Sequence, residues 1–338
     1  MTAVTGRGPW PGTDVLEAQS IVVGVLADTP PEIDGMPFTV QLAARGPVAD
    51  ATGSAVALLV DLPVELGTHG WKLADGRGRD GARARSLRRE DLDALAVAAH
   101  GYVGPLVVPV TGPLTLAATL YLARGDRVLS DRGAVEEIAE SYAVGVGEHV
   151  AAVRRAVPGA VVTLLVHEPL LVEVLAGTVR TFSGYAALRS VPGPVAGERI
   201  GSVVRAARAV GVEHVAVHAG SSCSVLATAA AAGTDAVVLA VAGLDDSAWE
   251  RVAETSEGGV ALWFELPAPS MPPVRQDGVR RADLVVQPWR RVGLPVTGLR
   301  DVVLLPGDIN AGATPDRARA ALADAVQVAL VVAERAEG

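Results

Sequence analysis

The sequence predicts an α/β fold, a (β/α)8 TIM barrel over residues 1–338 as a single domain. Three observations carry this expectation. About eight short apolar runs of strand length alternate with segments of helical period. No long linker, internal repeat or shift of composition divides the chain. The clearest run, residues 161–166 within AVVTLLVHEPLL, has no polar alternation and stops abruptly at His167-Glu168-Pro169. A strand without alternation is covered on both faces, as in a parallel sheet wrapped by helices. Ionisable groups at the end of such a strand stand where barrels of parallel strands keep their chemistry.

The elements follow in order. Residues 4–8 are the first strand of the count. The turn after it, within TGRGPWPGTD, is too rich in proline to open a helix as the glycine turn of a doubly wound fold does. Asp14 caps a helix over 15–26. Residues 39–45 read as a short strand, 49–60 as a helix, His69-Gly70-Trp71 as part of a loop, and 75–85 as a mobile Gly/Arg-rich stretch. Residues 89–100 are helical, with Glu90 and Asp91 in the first turn, where the helix dipole favours them. A strand over 106–110 is closed by Thr111-Gly112-Pro113 and followed by a helix; 131–157 is a long amphipathic helix. Beyond the strand ending at His167 come a helix at 195–210, a strand at 214–218 and a short helix at 225–232. A strand at 236–241, a helix at 247–254, a strand at 260–266 and a helix at 279–292 follow. The last strand, 302–305, ends in Pro306-Gly307-Asp308, and Thr314 caps a closing helix over 315–333 with proline at its first position.

Composition narrows the function. Half the residues are hydrophobic and mean hydropathy is +0.35, with the excess in Ala and Val that suit buried strands and packed helices. No apolar run reaches the roughly 18 residues needed to span a bilayer, and no basic-then-apolar leader opens the chain, so a cytoplasmic protein without a membrane partner is expected. The one cysteine, Cys223, excludes an internal disulfide and any all-cysteine zinc cluster. A net charge of −9 with scattered arginines argues against nucleic acid. Lys72, the only lysine, lacks the glycines and the Ser/Thr of a phosphate-binding loop. The expected partner is a small-molecule substrate, for a monomer or homodimer.

Several segments meet at one family. Thr5-Gly6-Arg7-Gly8-Pro9-Trp10-Pro11-Gly12-Thr13, Asp61-Leu62-Pro63 with Gly70-Trp71, Thr111-Gly112-Pro113-Leu114-Thr115-Leu116-Ala117-Ala118, Glu168-Pro169 and Ala311-Gly312-Ala313-Thr314-Pro315 follow one another in the family's order. Together they resemble the catalytic barrel of cobalamin-independent methionine synthase, in its short, single-domain actinobacterial form, across nearly the whole chain. The resemblance implies a methionine-synthase/uroporphyrinogen-decarboxylase-like barrel. It also implies zinc at the mouth, where the metal activates the homocysteine thiol toward a methyl-folate, a methyltransferase reaction. The family's His-x-Cys falls here on His218-Ala219-Gly220, its acid on Ala240 and its last cysteine on Asp308. The serine of the first turn is Pro9, the aspartate before Glu-Pro is His167, and the pterin-stacking tryptophan aligns near Thr119. One zinc ligand of the implied four survives, so zinc and methyl-folate are both disfavoured as cofactors. A rebuilt metal set would be His218 with Cys223 and Asp308, thiolate, imidazole and carboxylate being legal zinc donors.

The remaining polar set is His167, Glu168, His218 and Asp308, the catalytic candidates at strand ends. Trp10, His69, Trp71 and Asn310 are the substrate-binding candidates, His69 and Trp71 on a loop able to cover the mouth. A histidine there serves as acid or base near neutral pH. Because successive residues of a strand point to opposite faces, His167 and Glu168 do not form a dyad; one faces the mouth and the other packs beneath a loop. The structural alternatives are a loop-bonded histidine, a turn aspartate at Asp308, a helix-capping cysteine at Cys223 and surface packing of His69 and Trp71. Three functions stay open: a repurposed methyltransferase or acid–base enzyme on an amino-acid-like substrate, a zinc-dependent homocysteine S-methyltransferase, and a non-catalytic ligand- or partner-binding barrel.

Overall fold

The structure is a computed structural model and describes residues 1–76, 78–218, 220, 222–269, 277–307, 309 and 312–337. In chain order the strands are β1 (Ala3–Val4), β2 (Asp34–Gly35), β3 (Val64–Gly67), β4 (Gly70–Leu73), β5 (Gly104–Thr111), β6 (Ala160–His167), β7 (His214–His218), β8 (Ala236–Ala240), β9 (Ala261–Leu266) and β10 (Val303–Pro306). The helices are α1 (Val15–Ala27), α2 (Ala51–Val56), α3 (Arg79–Ala98), α4 (Pro113–Thr119), α5 (Arg132–Ala156), α6 (Leu171–Ala176), α7 (Gly193–Ala209), α8 (Leu226–Ala231), α9 (Asp246–Glu257), α10 (Asp277–Arg291) and α11 (Pro315–Ala336).

Eight strands form one parallel sheet in the order β2, β1, β10, β9, β8, β7, β6, β5. Its two ends meet. Phe38, just past β2, bridges Val107 of β5 in parallel. Thr39 N–H donates to the Val107 carbonyl at 3.0 Å, and Val107 N–H to the Pro37 carbonyl at 2.8 Å. The sheet is therefore a nearly closed (β/α)8 barrel. β3 and β4 form a separate antiparallel hairpin. The strands are filled with Val, Leu and Ala because both faces are buried: Leu106, Val107, Val108, Leu164, Leu165, Val166, Val215, Val217, Val237 and Leu239 are fully enclosed. No helix among the described residues is long and apolar enough to cross a membrane.

Helix starts follow the expected chemistry. Asp14, Asp50, Asp131, Asp245 and Thr314 each accept a backbone N–H in the first turn of α1, α2, α5, α9 and α11.

Four expectations are corrected. The second strand is not 39–45: it is β2 with bridges at Phe38 and Gln41, and Ala43–Arg45 is a 3-10 turn. The buried Gln19 side chain donates to the Phe38 carbonyl at 2.8 Å and accepts from Val40 N–H at 3.1 Å, so these groups are satisfied by α1 instead of a ladder. The helix after Asp50 stops at Val56. His69-Gly70-Trp71 belongs to a hairpin rather than an open loop, with Trp71 in β4. The Gly/Arg-rich stretch enters α3 at Arg79, a helix that continues to Ala98.

Candidate active site

Neighbouring strands paired in register point their side chains the same way. His167 pairs with His218 across β6 and β7, and the two imidazoles meet edge to face, centroids 4.4 Å apart at 71°. Glu265 occupies the equivalent end of β9. His218 Nε2 lies 3.0 Å from Glu265 Oε2. Gly220 N–H lies 3.4 Å from His218 Nδ1. The other oxygen of Glu265 is 3.2 Å from the Arg7 guanidinium, which follows β1. An Arg7–Glu265–His218 chain thus crosses the barrel end, with His167 packed on its last member.

The two acid–base groups have opposite tendencies. Burial pushes the Glu265 carboxyl upward, but the His218 hydrogen bond and the charges of Arg7 and His218 outweigh it and hold the group below its ordinary range. Burial, then the charges of His218 and Arg7, hold His167 well below the ordinary histidine range, so its ring is neutral near pH 7. His167 Nε2 is buried and has no hydrogen-bond partner among the described residues. The ring lines a cavity of about 170 Å³ with Arg7, Thr39, Gln41, Thr111 and Pro169. A neutral imidazole with a spare nitrogen beside a cation–anion pair is equipped to take a proton from a bound molecule.

Glu168 faces the other way. It is fully buried, and its carboxylate accepts from Leu114 N–H at 2.8 Å, Thr115 N–H at 2.7 Å and the Thr115 hydroxyl at 2.6 Å. It caps the first turn of α4. Gly112 makes room for it, since a Cβ there would lie 2.1 Å from the Glu168 carboxyl carbon. Burial raises this group to about 7 against those three hydrogen bonds. Glu168 is not among the residues that line the cavity beside His167.

The other candidates are dispersed. Trp10 is 1% exposed and packs against Phe38, centroids 6.2 Å apart, away from the cavity lining. Trp71 is buried too, its Nε1–H donating to the Pro47 carbonyl at 2.8 Å. His69 stacks edge-on against Phe182 at 4.7 Å in a groove of its own beside the β3–β4 turn. Cys223 is buried, and the charges that act on its thiol are Arg251 within α9 and Asp245 at the cap of that helix, not the residues around His218. Asp308 and Asn310 lie outside the described residues.

Among the described residues the implied zinc finds no fit. His218 already spends Nε2 on Glu265 and has Gly220 N–H beside Nδ1, Cys223 has other surroundings, and no three His, Cys, Asp or Glu side chains among the described residues converge on a metal position. The sequence reading missed Arg7 and Glu265. Glu265 carried a legible signal, an acid one residue from the end of an apolar strand, the same signature that marked His167. Arg7 had none, since nothing local says where an arginine between two glycines will reach.

No family model matches the chain, and no curated protein does. Solved structures similar to it include a 2,3-dimethylmalate lyase of the PEP mutase/isocitrate lyase superfamily, 12% identical over 91% of this chain and 75% of that one, TM-score 0.42. An oxaloacetate acetylhydrolase with the product oxalate is 12% identical over 90% and 75%, TM-score 0.37. The homocysteine methyltransferase MmuM from Escherichia coli, in metallated form, is 13% identical over 84% and 92%, TM-score 0.37. Likeness at this level says nothing of what the chain acts on.

Proposed function

We propose that this chain is a one-domain, methionine-synthase-like barrel with a rebuilt mouth, and that it moves a proton on a small, amino-acid-like substrate. His167 is the base that takes the proton and returns it. Arg7 binds the substrate carboxylate, and Glu265, held ionised, binds its ammonium group. His218 positions Glu265 through the Nε2 hydrogen bond.

The observation that carries this reading is the unpartnered His167 Nε2 beside the Arg7–Glu265–His218 chain. The cation and anion stand 3.2 Å apart, a complement for a zwitterion that offers the opposite charges side by side. The scaffold fits the family resemblance. Thr111-Gly112-Pro113-Leu114-Thr115 and Glu168-Pro169 are the pieces that seat Glu168 on α4, a packing device. On this reading the sequence keeps the family's framework residues and changes its donors. Among the described residues, the donors that homocysteine methylation by a zinc-bound thiolate requires do not assemble.

The test is hydrogen exchange at carbon. The full-length protein is incubated in D2O with a panel of amino acids, and loss of the α-proton signal is followed by NMR. The expected result is exchange of at least one of them, slowed about 100-fold or more in His167→Gln at an unchanged melting midpoint, in the range of a lost general base. Undiminished exchange in His167→Gln, or no exchange with any substrate offered, sinks the proposal. Because His167 is held neutral, the wild-type rate should show no fall near pH 6.5 on acidification.

A further inference from the structure

The end of the cavity remote from His167 is built differently. Arg88 of α3 and His149 of α5 come together behind α2. Leu58, Arg88, Leu92 and His149 line both this cavity and an outer groove of about 390 Å³, a volume within the range of small-molecule sites. Arg88 therefore stands in the wall between the two spaces.

Arg88 is half-buried and lacks ionic compensation among the described residues. Its Nε is buried without a hydrogen-bond partner, and the guanidinium makes no ion pair among the described residues. The carboxylate whose charge reaches it, Asp91, is engaged at 2.6 Å by Arg45, and Arg45 has an unpartnered buried Nε of its own. Arg85 and Arg89 join Arg88 on the outer groove; positions 85, 88 and 89 share one face of a helix. The carboxylates on this groove, Asp61 and Glu148, stand at its exposed rim. Burial and the neighbouring Arg88 keep His149 neutral, so its ring still offers one N–H. A cation withdrawn from water is costly unless an anion or hydrogen bonds compensate it. A planar guanidinium donates in parallel to two oxygens of a carboxylate or phosphate.

We infer that Arg88 anchors an oxyanion site in the wall between the outer groove and the mouth cavity, and that its ligand is a small molecule carrying a phosphate or carboxylate group. Arg85 and Arg89 draw the anion in, Arg88 binds it side-on, and the His149 N–H completes the cradle. The site does not depend on the reaction assigned to His167.

Thermal melts and calorimetric titrations of the full-length protein test this, with inorganic phosphate and with acetate, each against sodium chloride at matched ionic strength. Expected is a rise in midpoint with at least one of the two oxyanions; a rise with one alone tells phosphate from carboxylate, and a rise with both shows that the site takes either group. Arg88→Met should lose that rise and, without oxyanion, melt no lower than wild type, because a half-buried cation with no ion pair among the described residues has gone. Arg88→Lys, a point charge without the fork, should bind at least tenfold more weakly. His167→Gln should keep the full response, which separates this site from the proposed catalytic one. No rise beyond chloride, an equal rise in Arg88→Met, or undiminished binding in Arg88→Lys overturns the inference; the lysine variant decides if the methionine one does not fold.

Discussion

Adjacent side chains at the end of one strand have opposite fates here. His167 and Glu168 are neighbours in sequence, yet one lines the cavity and the other closes a helix on the far face of the sheet. Replacing Glu168 by Ala strands the N–H groups of Leu114 and Thr115 in a buried setting. At about 1–3 kcal/mol for each unsatisfied group, a loss of roughly 3 kcal/mol or more is expected in denaturant unfolding. Its titration carries a definite sign. The folded carboxyl sits at about 7, above its ordinary 4.5, so the stability it contributes is full below 4.5 and disappears as pH rises through 7. Glu168→Gln, which does not titrate, should flatten the melting midpoint against pH over that window. His149 and His167 have the reverse sign. Burial is the main reason both rings are held well below 6.5, so the stability they contribute is present above 6.5 and lost as pH falls. His149→Gln should weaken that acid sensitivity.

Elements are located by caps and by close approaches that only glycine permits. A Cβ on Gly145 of α5 would lie 1.6 Å from the Leu58 carbonyl oxygen, in the chain leaving α2. This contact lets α5 lie directly against that chain, and Gly145→Ala should cost about 3 kcal/mol through the forced separation, measured by equilibrium unfolding. Gly101→Ala is the contrast: nothing lies within 4 Å of its Cβ, and its φ of 74° makes backbone strain the only expense. The cap on α5 is a smaller term. Asp131 accepts from Ala134 N–H at 3.0 Å, and Asp131→Ala should cost about 1 kcal/mol.

Barrel closure couples the ends of the chain. β1 lies between β2 and β10, and α11 packs on β10, β1, α1 and α10. Ala318, Leu322, Ala325, Val328, Ala329 and Val332 of α11 are buried, so removing this helix uncovers the seam where first and last strands meet. A chain ending at Thr314 is expected to lose its cooperative thermal transition by calorimetry; a retained sharp transition would show that the barrel closes without that cover.

The order of strands and helices, and the caps at Asp14 and Thr314, were legible because each rests on local rules: apolar period, cap chemistry and proline at the first helical turn. His167 and His218 were legible as strand ends for the same reason. The second strand was not, because Gln19 on α1 decides which of its backbone groups are satisfied elsewhere. The burial of Trp10 and Trp71 was equally hidden, since an aromatic ring near a turn looks the same whether it lines a mouth or fills a core. The pairing of Arg7 with Glu265, and of Glu168 with α4, depends on register between strands and helices far apart in the chain. Sequence period says that two neighbours face apart, but which of them meets the cavity is fixed only when the sheet closes, because a shift of one residue exchanges the two faces.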